Sequence, residues 1–233
     1  FQVLDASGPL LVARGATNVA AGRAFAGGGV VYVTNSSRLS FGGFSTVDVN
    51  DPDLPVVLSP PRAGGRQTLP GDAIAVNGNG LAVVGGVVGM VPGLALFNVS
   101  DPTDTGAYLT QINLPGGPTD LSLADGLAFV LAGDRLLVVS ILPFDDRGAP
   151  PTVSISSPLA DADPARPGVQ VIEGSVIPIQ VGVTEDVQVG SVELLVDGRV
   201  VATDPSFPYE LSVFAPRLAA GVTSLAVQAR RSE

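Results

Sequence analysis

The chain has 233 residues and a hydrophobic fraction of 45%, which is enough to bury a core in one or two domains. Its 29 glycines and 20 prolines favour short strands and turns over helices. The formal charge is −10, with 22 acidic residues against 12 arginines and no lysine. Because the arginines are scattered apart from Arg230-Arg231, nucleic acid and anionic membrane surfaces are disfavoured as partners. We therefore expect an all-β protein.

The residue types that are missing exclude several kinds of site. With no cysteine, the chain can form neither disulfides nor thiolate metal sites. It has no histidine either, which removes the usual general base near neutral pH, the imidazole metal ligand and the Ser-His or Cys-His nucleophile. The composition therefore predicts a protein that is not an enzyme.

A strand pattern repeats along the first part of the chain. Phe1, Val47, Phe97 and Leu137 are equivalent positions in four copies, with spacings of about 46, 50 and 40 residues. The second and third copies run into Asp-Pro turns, at residues 51–52 and 101–102. Spacings of this length are typical of repeat architectures such as propeller blades.

The copies divide into strand-length pieces separated by turn residues. Apolar alternation and turn residues predict strands at 23–26, 30–34, 44–49 and 56–59, at 72–77, 81–85, 94–99 and 108–114, and at 120–123, 127–131 and 135–141. Four antiparallel strands per repeat are the composition of a propeller blade.

One cycle of the repeat has a Pro-Gly or Gly-Pro opening, an Asp-Gly-like hairpin, a strand such as residues 94–99, and a Ser-Asp-Pro turn. This cycle resembles the LVIVD-type β-propeller repeats of bacterial surface and secreted proteins over about residues 1–147. The last copy departs from the pattern, because Ser140 is followed by Ile141-Leu142-Pro143. The resemblance implies a partial propeller of about three four-stranded blades, incomplete at its N-terminus.

Residues 73–100 carry no charge, so a membrane span and a set of buried strands are both considered. A spanning helix needs about 20 continuous apolar residues, whereas this run is interrupted at Asn77, Asn79 and Pro92. We expect buried strands and no membrane insertion within this segment.

The pattern changes after a Pro-rich, polar stretch at residues 142–151, which predicts a domain boundary between residues 148 and 149. Beyond it, residues 150–158, Glu173-Gly174-Ser175, residues 192–198 and Pro208-Tyr209 strongly resemble bacterial Ig-like domains of secreted proteins. The resemblance implies an Ig-like β-sandwich over residues 149–233.

The alternation at residues 192–197 agrees with that resemblance. Val192 and Leu194 alternate with Glu193 and Leu195, as in a strand with one buried face, and Asp197-Gly198 predicts a hairpin turn. Tyr209 is expected in the core or at a corner of the sandwich.

Both ends of the chain look truncated. Three blades and a fraction do not readily close a ring of about four to eight blades, and the Ig-like pattern stops before its usual last strand. Either the sequence is an excerpt of a longer polypeptide, or neighbouring molecules add the missing strands.

Several carboxylates in the sequence are candidate catalytic groups. Asp104-Thr105-Gly106 is the tripeptide of aspartic proteases, but it lies in an inter-strand turn and is expected to be a turn. Asp48, Asp51 and Asp53, or Asp145 with Asp146, offer glycosidase-like carboxyl pairs. Aspartates in turns and on solvated edges are the favoured interpretation, since the chain has no tryptophan and few tyrosines for a sugar cleft.

Calcium is the one cofactor that the sequence leaves possible, because it needs only oxygen ligands. Asp145 and Asp146 at the domain boundary, with Glu185 and Asp186 in a predicted loop, are the candidate ligands, and Asp161 and Asp163 are alternative donors. No loop has EF-hand spacing, and solubilising acids remain the competing interpretation.

Together these features predict a non-enzymatic structural or adhesion module outside a bacterial cell. Its partner would be a protein or glycan surface ligand, or copies of itself, bound by loops such as residues 35–41 and 86–93. Two alternatives stay open: an accessory region of an extracellular hydrolase, and a filament subunit completed by strand exchange.

Overall fold

The computed structural model describes residues 1–36, 43–61, 71–88, 91–141, 152–159, 163, 165, 170–184, 189–215 and 225–231. Within these residues the chain forms β-strands and turns and contains no helix, and its strands pair antiparallel. The prediction of an all-β protein is therefore confirmed for this part of the chain.

The first part of the chain is called the repeat segment below. It contains β1 (Gln2–Asp5), β2 (Val12–Ala16), β3 (Ala24–Gly27), β4 (Val30–Thr34), β5 (Phe44–Asp48), β6 (Val56–Ser59), β7 (Gly71–Val76), β8 (Leu81–Val88), β9 (Val91–Asn98), β10 (Tyr108–Asn113), β11 (Pro118–Ala124), β12 (Leu127–Ala132) and β13 (Arg135–Ser140). Each strand pairs with its neighbours in sequence, giving sheet 1 (β1, β2), sheet 2 (β3 to β6), sheet 3 (β7 to β10) and sheet 4 (β11 to β13). The strands predicted between residues 23 and 141 are all present, with ends shifted by a few residues.

Sheets 2, 3 and 4 stack face to face in chain order. One face of sheet 3, which includes Leu94 and Leu96, packs against the apolar side chains of sheet 4. On the opposite face, the ring of Phe97 meets the ring of Phe44 from sheet 2 edge-on at a centroid distance of 5.2 Å. The first strands of the three sheets, β3, β7 and β11, lie side by side, since β7 packs against both of the others.

The uncharged run at residues 73–100 contains β8, β9 and most of β7, whose described apolar side chains are mostly buried. The prediction of buried strands is therefore confirmed. In the described part of the chain, no helix has the length and apolar character needed to cross a membrane.

The second part of the chain is called the C-terminal sandwich. It contains β14 (Thr152–Ser156), β15 (Val176–Thr184), β16 (Val189–Val196), β17 (Arg199–Asp204), β18 (Tyr209–Phe214) and β19 (Leu225–Arg231). These strands form one sheet in the order β14-β15-β18 and another in the order β17-β16-β19. Side chains from both sheets share one core, to which Ile179, Leu194 and Tyr209 belong.

The predicted hairpin at Asp197-Gly198 is confirmed. Val196 pairs with Arg199, and the two residues between them have φ values of 48° and 78°. Two consecutive positive φ values are the requirement of a type I′ turn, which matches the twist of the flanking strands.

Candidate functional site

The repeat segment and the C-terminal sandwich meet at the loop between β17 and β18. Asp204 organises this loop, because its carboxylate accepts hydrogen bonds from the backbone N–H of Ser206 at 3.1 Å and of Glu210 at 3.0 Å. The peptide bond between Phe207 and Pro208 is cis. The loop presents the ring of Phe207 to the repeat segment.

Gly27 at the end of β3 and Gly78 in the turn after β7 form a socket for Phe207. A Cβ atom added at Gly27 would lie 2.3 Å from Cε1 of the Phe207 ring, and one added at Gly78 would lie 2.2 Å from its Cδ2. Both distances are far below van der Waals contact, so a side chain at either position would displace the ring. On the repeat segment, the ring of Phe25 stacks on Phe207 at a centroid distance of 6.1 Å.

Hydrogen bonds also cross this joint. The hydroxyl group of Tyr209 donates to the carbonyl oxygen of Asn77 at 3.1 Å, and the N–H of Asp125 donates to the carbonyl oxygen of Pro205 at 3.3 Å. Tyr209 is 3% exposed, and its burial, with a smaller contribution from the charge of Asp204, raises the pKa of its phenol. The phenol therefore remains a hydrogen-bond donor well into the alkaline range.

The turn that receives Tyr209 is held by its own side chains. The side-chain oxygen Oδ1 of Asn77 accepts hydrogen bonds from the N–H groups of Asn79 at 3.1 Å and Leu81 at 2.9 Å. Gly78, inside this turn, has a φ of 82°, which an L side chain rarely adopts. The sequence Asn77-Gly78-Asn79-Gly80 thus supplies the positive φ, the space for Phe207 and the acceptor for Tyr209.

A cleft of about 880 Å³ opens beside the joint. One wall is the outer face of the sheet β14-β15-β18, and the other consists of turns of sheets 2 and 3. The polar residues that line it include Asn50, Ser100, Ser154, Ser156, Gln180 and Glu210. Glu210 is the one carboxylate among the described lining residues, so the cleft offers no pair of carboxyl groups for acid and base catalysis.

The Asp-Pro turns of the repeat join neighbouring copies. The carbonyl oxygen of Pro52 accepts a hydrogen bond from the N–H of Gly15 at 2.9 Å, and that of Pro102 accepts one from Oγ1 of Thr46 at 2.5 Å. The carboxylate of Asp101 accepts hydrogen bonds from the backbone N–H and hydroxyl of Thr103. Each of these turns therefore links its sheet to the preceding sheet of the repeat segment.

The other candidate carboxylates of the repeat segment are also used structurally. Asp104 accepts a hydrogen bond from the N–H of Gly106 at 2.9 Å, so the expected turn at Asp104-Thr105-Gly106 is confirmed. Asp48 accepts hydrogen bonds from both the backbone and the side-chain amide of Asn50. Asp51 accepts one from the N–H of Asp53 at 3.0 Å.

Asp53 has a further role that sequence analysis missed. Both of its carboxylate oxygens accept hydrogen bonds from the guanidinium group of Arg14, each at 2.5 Å. This contact lowers the pKa of Asp53 and raises that of Arg14. It fastens sheet 1 to the turn between β5 and β6, and the residues concerned are 39 positions apart in sequence.

The alternation in β16 predicts one buried face but does not reveal that Glu193, on the other face, is also covered. Its side chain is only 10% exposed and pairs with Nε of Arg230 at 2.6 Å. The side-chain amide of Gln228 also donates to this carboxylate. The hydrogen bonds from Arg230 and then Gln228 lower the pKa of Glu193. Its burial arises because β19 pairs alongside β16 and carries both partners.

The predicted calcium ligands Asp145, Asp146, Glu185 and Asp186 all lie outside the described residues. Among the residues that the structure does describe, no group of three or more acidic side chains comes together to hold a metal ion. Most of the loop at residues 35–41 and residues 89–90 of the loop at 86–93 also fall outside the described ranges.

Comparison with known families agrees with the fold of the C-terminal sandwich. The family model of the bacterial Ig domain matches residues 151–227. This part of the chain is similar to bacterial Ig domains. The match supports the Ig-like resemblance expected from residues 149–233, and the repeat segment lies outside it. No curated protein matches the chain.

Proposed function

We propose that this chain is a non-enzymatic structural and adhesion module of a bacterial secreted or surface protein. In this proposal, residues 1–148 form propeller-type blades and residues 149–233 form an Ig-like domain that carries them. The bacterial Ig domain match supports the proposal, because such domains are commonly non-catalytic and extracellular or at the cell surface.

The observation that carries the proposal is the joint around Phe207. A domain that only tethers another can be attached through a flexible linker, whereas here an aromatic ring fills a glycine socket and hydrogen bonds flank it. Such a joint fixes the angle between the two parts. A fixed angle suits a spacer that presents binding loops at a set orientation.

The packing of the repeat segment supports the blade assignment. Sheets 2 and 3 are four-stranded meanders, consecutive sheets stack face to face, and their first strands are adjacent. These are the features by which propeller blades surround an axis. On this basis we propose that the segment consists of propeller-type blades, like the LVIVD-type repeats that its sequence resembles.

The location is tested by protease treatment of intact cells that produce the protein. Proteinase K is expected to remove the chain from intact cells while a cytosolic marker protein stays whole. If the chain were degraded only after the cells had been lysed, the extracellular assignment would be wrong.

The open face of sheet 4 favours a second function, self-assembly. Leu131, Leu136 and Val138 on this face are 45%, 65% and 55% exposed, whereas Leu94 and Leu96 on the matching face of sheet 3 are fully buried. Among the described strands, β13 pairs with β12 alone. A strand from a second copy can therefore add to β13 at the edge of the sheet, and the exposed apolar face can pack against another copy.

Light scattering after gel filtration tests self-assembly. The intact chain is expected to form dimers or larger species at micromolar concentration, and Val138→Lys should return it to a monomer because a charge opposes strand addition. A folded monomer at all concentrations would remove this second candidate and leave the first one standing.

A further inference from the structure

We propose that the cleft between the repeat segment and the C-terminal sandwich binds an uncharged oligosaccharide. This inference rests on the proposed function, since it names a ligand class for an extracellular binding module. The cleft has a volume of about 880 Å³. Pockets that hold small ligands typically measure about 300–1,000 Å³, so several sugar rings are a reasonable occupant.

The charge of the lining selects against ionic ligands. Among the described residues that line the cleft, Glu210 is the one that carries a charge at neutral pH. The chain as a whole has a formal charge of −10, which repels acidic ligands. A cationic ligand would find a single exposed carboxylate, which contributes little in water. The cleft therefore fits a ligand without net charge.

Hydroxyl and amide groups face one another across the cleft. On the sandwich wall, Ser156 pairs with Gln180 across β14 and β15, and Gln180 pairs with Glu210 across β15 and β18. Antiparallel partners project from the same face of a sheet, so these side chains form one polar row. The opposite wall contributes Asn50 and Ser100.

The hydrogen bonds of these groups leave acceptors free for a ligand. The hydroxyl of Ser100 donates to Asn98 at 2.8 Å, and that of Ser154 donates to the carbonyl oxygen of Gly182 at 3.3 Å. A hydroxyl that donates one hydrogen bond retains lone pairs that can accept others. Sugar hydroxyls both donate and accept, which matches a lining of serine hydroxyls and side-chain amides. Because the chain has no tryptophan and few tyrosines, recognition rests on these hydrogen bonds rather than on stacking of sugar rings against aromatic side chains.

The position of the polar row favours a saccharide over a peptide strand. A peptide that binds by strand addition needs an unpaired strand edge. Here the polar row stands on the face of the sheet, and its central strand β15 is paired on both sides, with β14 and with β18, so a peptide could add only at the outer edge of β14 or β18, away from Gln180. A ligand would contact the side chains of this polar row on the face of the sheet, where the hydroxyl groups of a sugar can reach them.

Isothermal titration calorimetry of the intact chain tests the proposal with four defined probes. These are maltohexaose, cellohexaose, the acidic hexamer of galacturonic acid, and a neutral hexapeptide of serine and glycine. At least one neutral hexasaccharide is expected to bind, and neither the acidic hexamer nor the peptide should compete with it. Gln180→Ala should weaken binding by about fivefold, as the loss of one hydrogen bond predicts.

A filling variant and a matched control locate the binding. Ser156→Phe places a ring in the cleft and should abolish binding, whereas Ser7→Phe makes the same change at an exposed serine that does not line the cleft and should leave binding unchanged. Circular dichroism of both variants establishes that they are folded. Equal binding by the two variants would overturn the proposal.

The remaining outcomes separate this inference from the proposed function. If none of the neutral hexasaccharides binds, or if the peptide binds in their place, the oligosaccharide inference is wrong and the structural role is unaffected. A parallel assay measures reducing ends released from each hexasaccharide over a day. Binding accompanied by cleavage would support the cleft as a sugar site but contradict the non-enzymatic function.

Discussion

The two parts of the chain bury their apolar residues in different ways. In the C-terminal sandwich, two facing sheets close over one core, so most of its apolar contacts are internal to the domain. In the repeat segment, a sheet is covered by its neighbours, and sheet 3 lies between sheets 2 and 4. The sandwich should therefore unfold as a unit, whereas the stability of a repeat depends on what is stacked beside it.

The largest effect that tests this contrast comes from truncating a buried leucine in each part. Leu194→Ala in the sandwich and Leu96→Ala in sheet 3 remove fully buried side chains, and each should cost about 3 kcal/mol. We expect Leu194→Ala to speed up amide hydrogen exchange in β15 to β18 and to leave exchange in β7 to β9 slow. Hydrogen exchange read by mass spectrometry measures both.

Leu96→Ala should give a different pattern, with lost protection in both sheet 3 and sheet 4, because Leu96 lies in the core that they share. The contrast would collapse if Leu194→Ala lowered protection in sheets 3 and 4 as much as in the sandwich. The two parts would then behave as one cooperative unit.

A smaller effect is expected where the two parts meet. Gly78→Ala should cost about 2 kcal/mol, because it combines a strained positive φ with displacement of Phe207 from its socket. Gly198→Ala is the matched control, since Gly198 has a similar φ but its added Cβ would meet no atom within 4 Å. The control should cost about 1 kcal/mol from backbone strain alone. If thermal denaturation showed that Gly78→Ala and Gly198→Ala lose the same amount of stability, the socket would not stabilise the protein.

The acid stability of the sandwich depends on Glu193. Its hydrogen bonds from Arg230 and Gln228 lower its pKa below the ordinary value of 4.5. A carboxylate with a lowered pKa in the folded state stabilises the fold above its unfolded pKa, and this stabilisation is lost as the pH falls through the folded pKa. The free energy of unfolding, measured with denaturant, should therefore fall more between pH 6 and pH 3 for the natural chain than for Glu193→Gln. The same loss in both would exclude Glu193 as the cause.

The smallest predicted effect concerns sheet 1. Arg14→Ala removes the guanidinium that links it to Asp53, and exposed ion pairs contribute little to global stability. The unfolding midpoint should hardly change, but the amide of Gly15, which donates to Pro52, should exchange faster. NMR measurement of that amide checks the prediction, and an unchanged exchange rate would show that the hydrogen bond to Pro52 does not need Arg14.

Local features could be predicted from the sequence because they depend on near neighbours. Strand periodicity and the Asp197-Gly198 turn are set by residues close in the chain, and both are observed. Periodicity places Glu193 on the face opposite Leu194, but it does not say whether that face is covered. Glu193 is buried because Arg230, which is far away in the sequence, pairs with it from the neighbouring strand β19.

The joint was beyond sequence analysis for the same reason. Tyr209 was expected in the core or at a corner, and it does belong to the core of the sandwich. Its hydroxyl also donates to Asn77, which is 132 positions away in the sequence. In the sequence, nothing distinguishes Gly27 and Gly78 from other glycines near turns. Their role becomes visible only in the structure, where the ring of Phe207 lies against them.

The fixed angle between the repeat segment and the sandwich is tested most directly by a distance between two spin labels. Since the chain has no cysteine, Thr119→Cys and Thr203→Cys, both at exposed positions, allow specific labelling of each part. Pulsed electron paramagnetic resonance should give one narrow distance distribution, which broadens when Phe207→Ala empties the socket. A broad distribution in the chain with Phe207 intact, or one that the substitution leaves unchanged, would contradict the rigid joint.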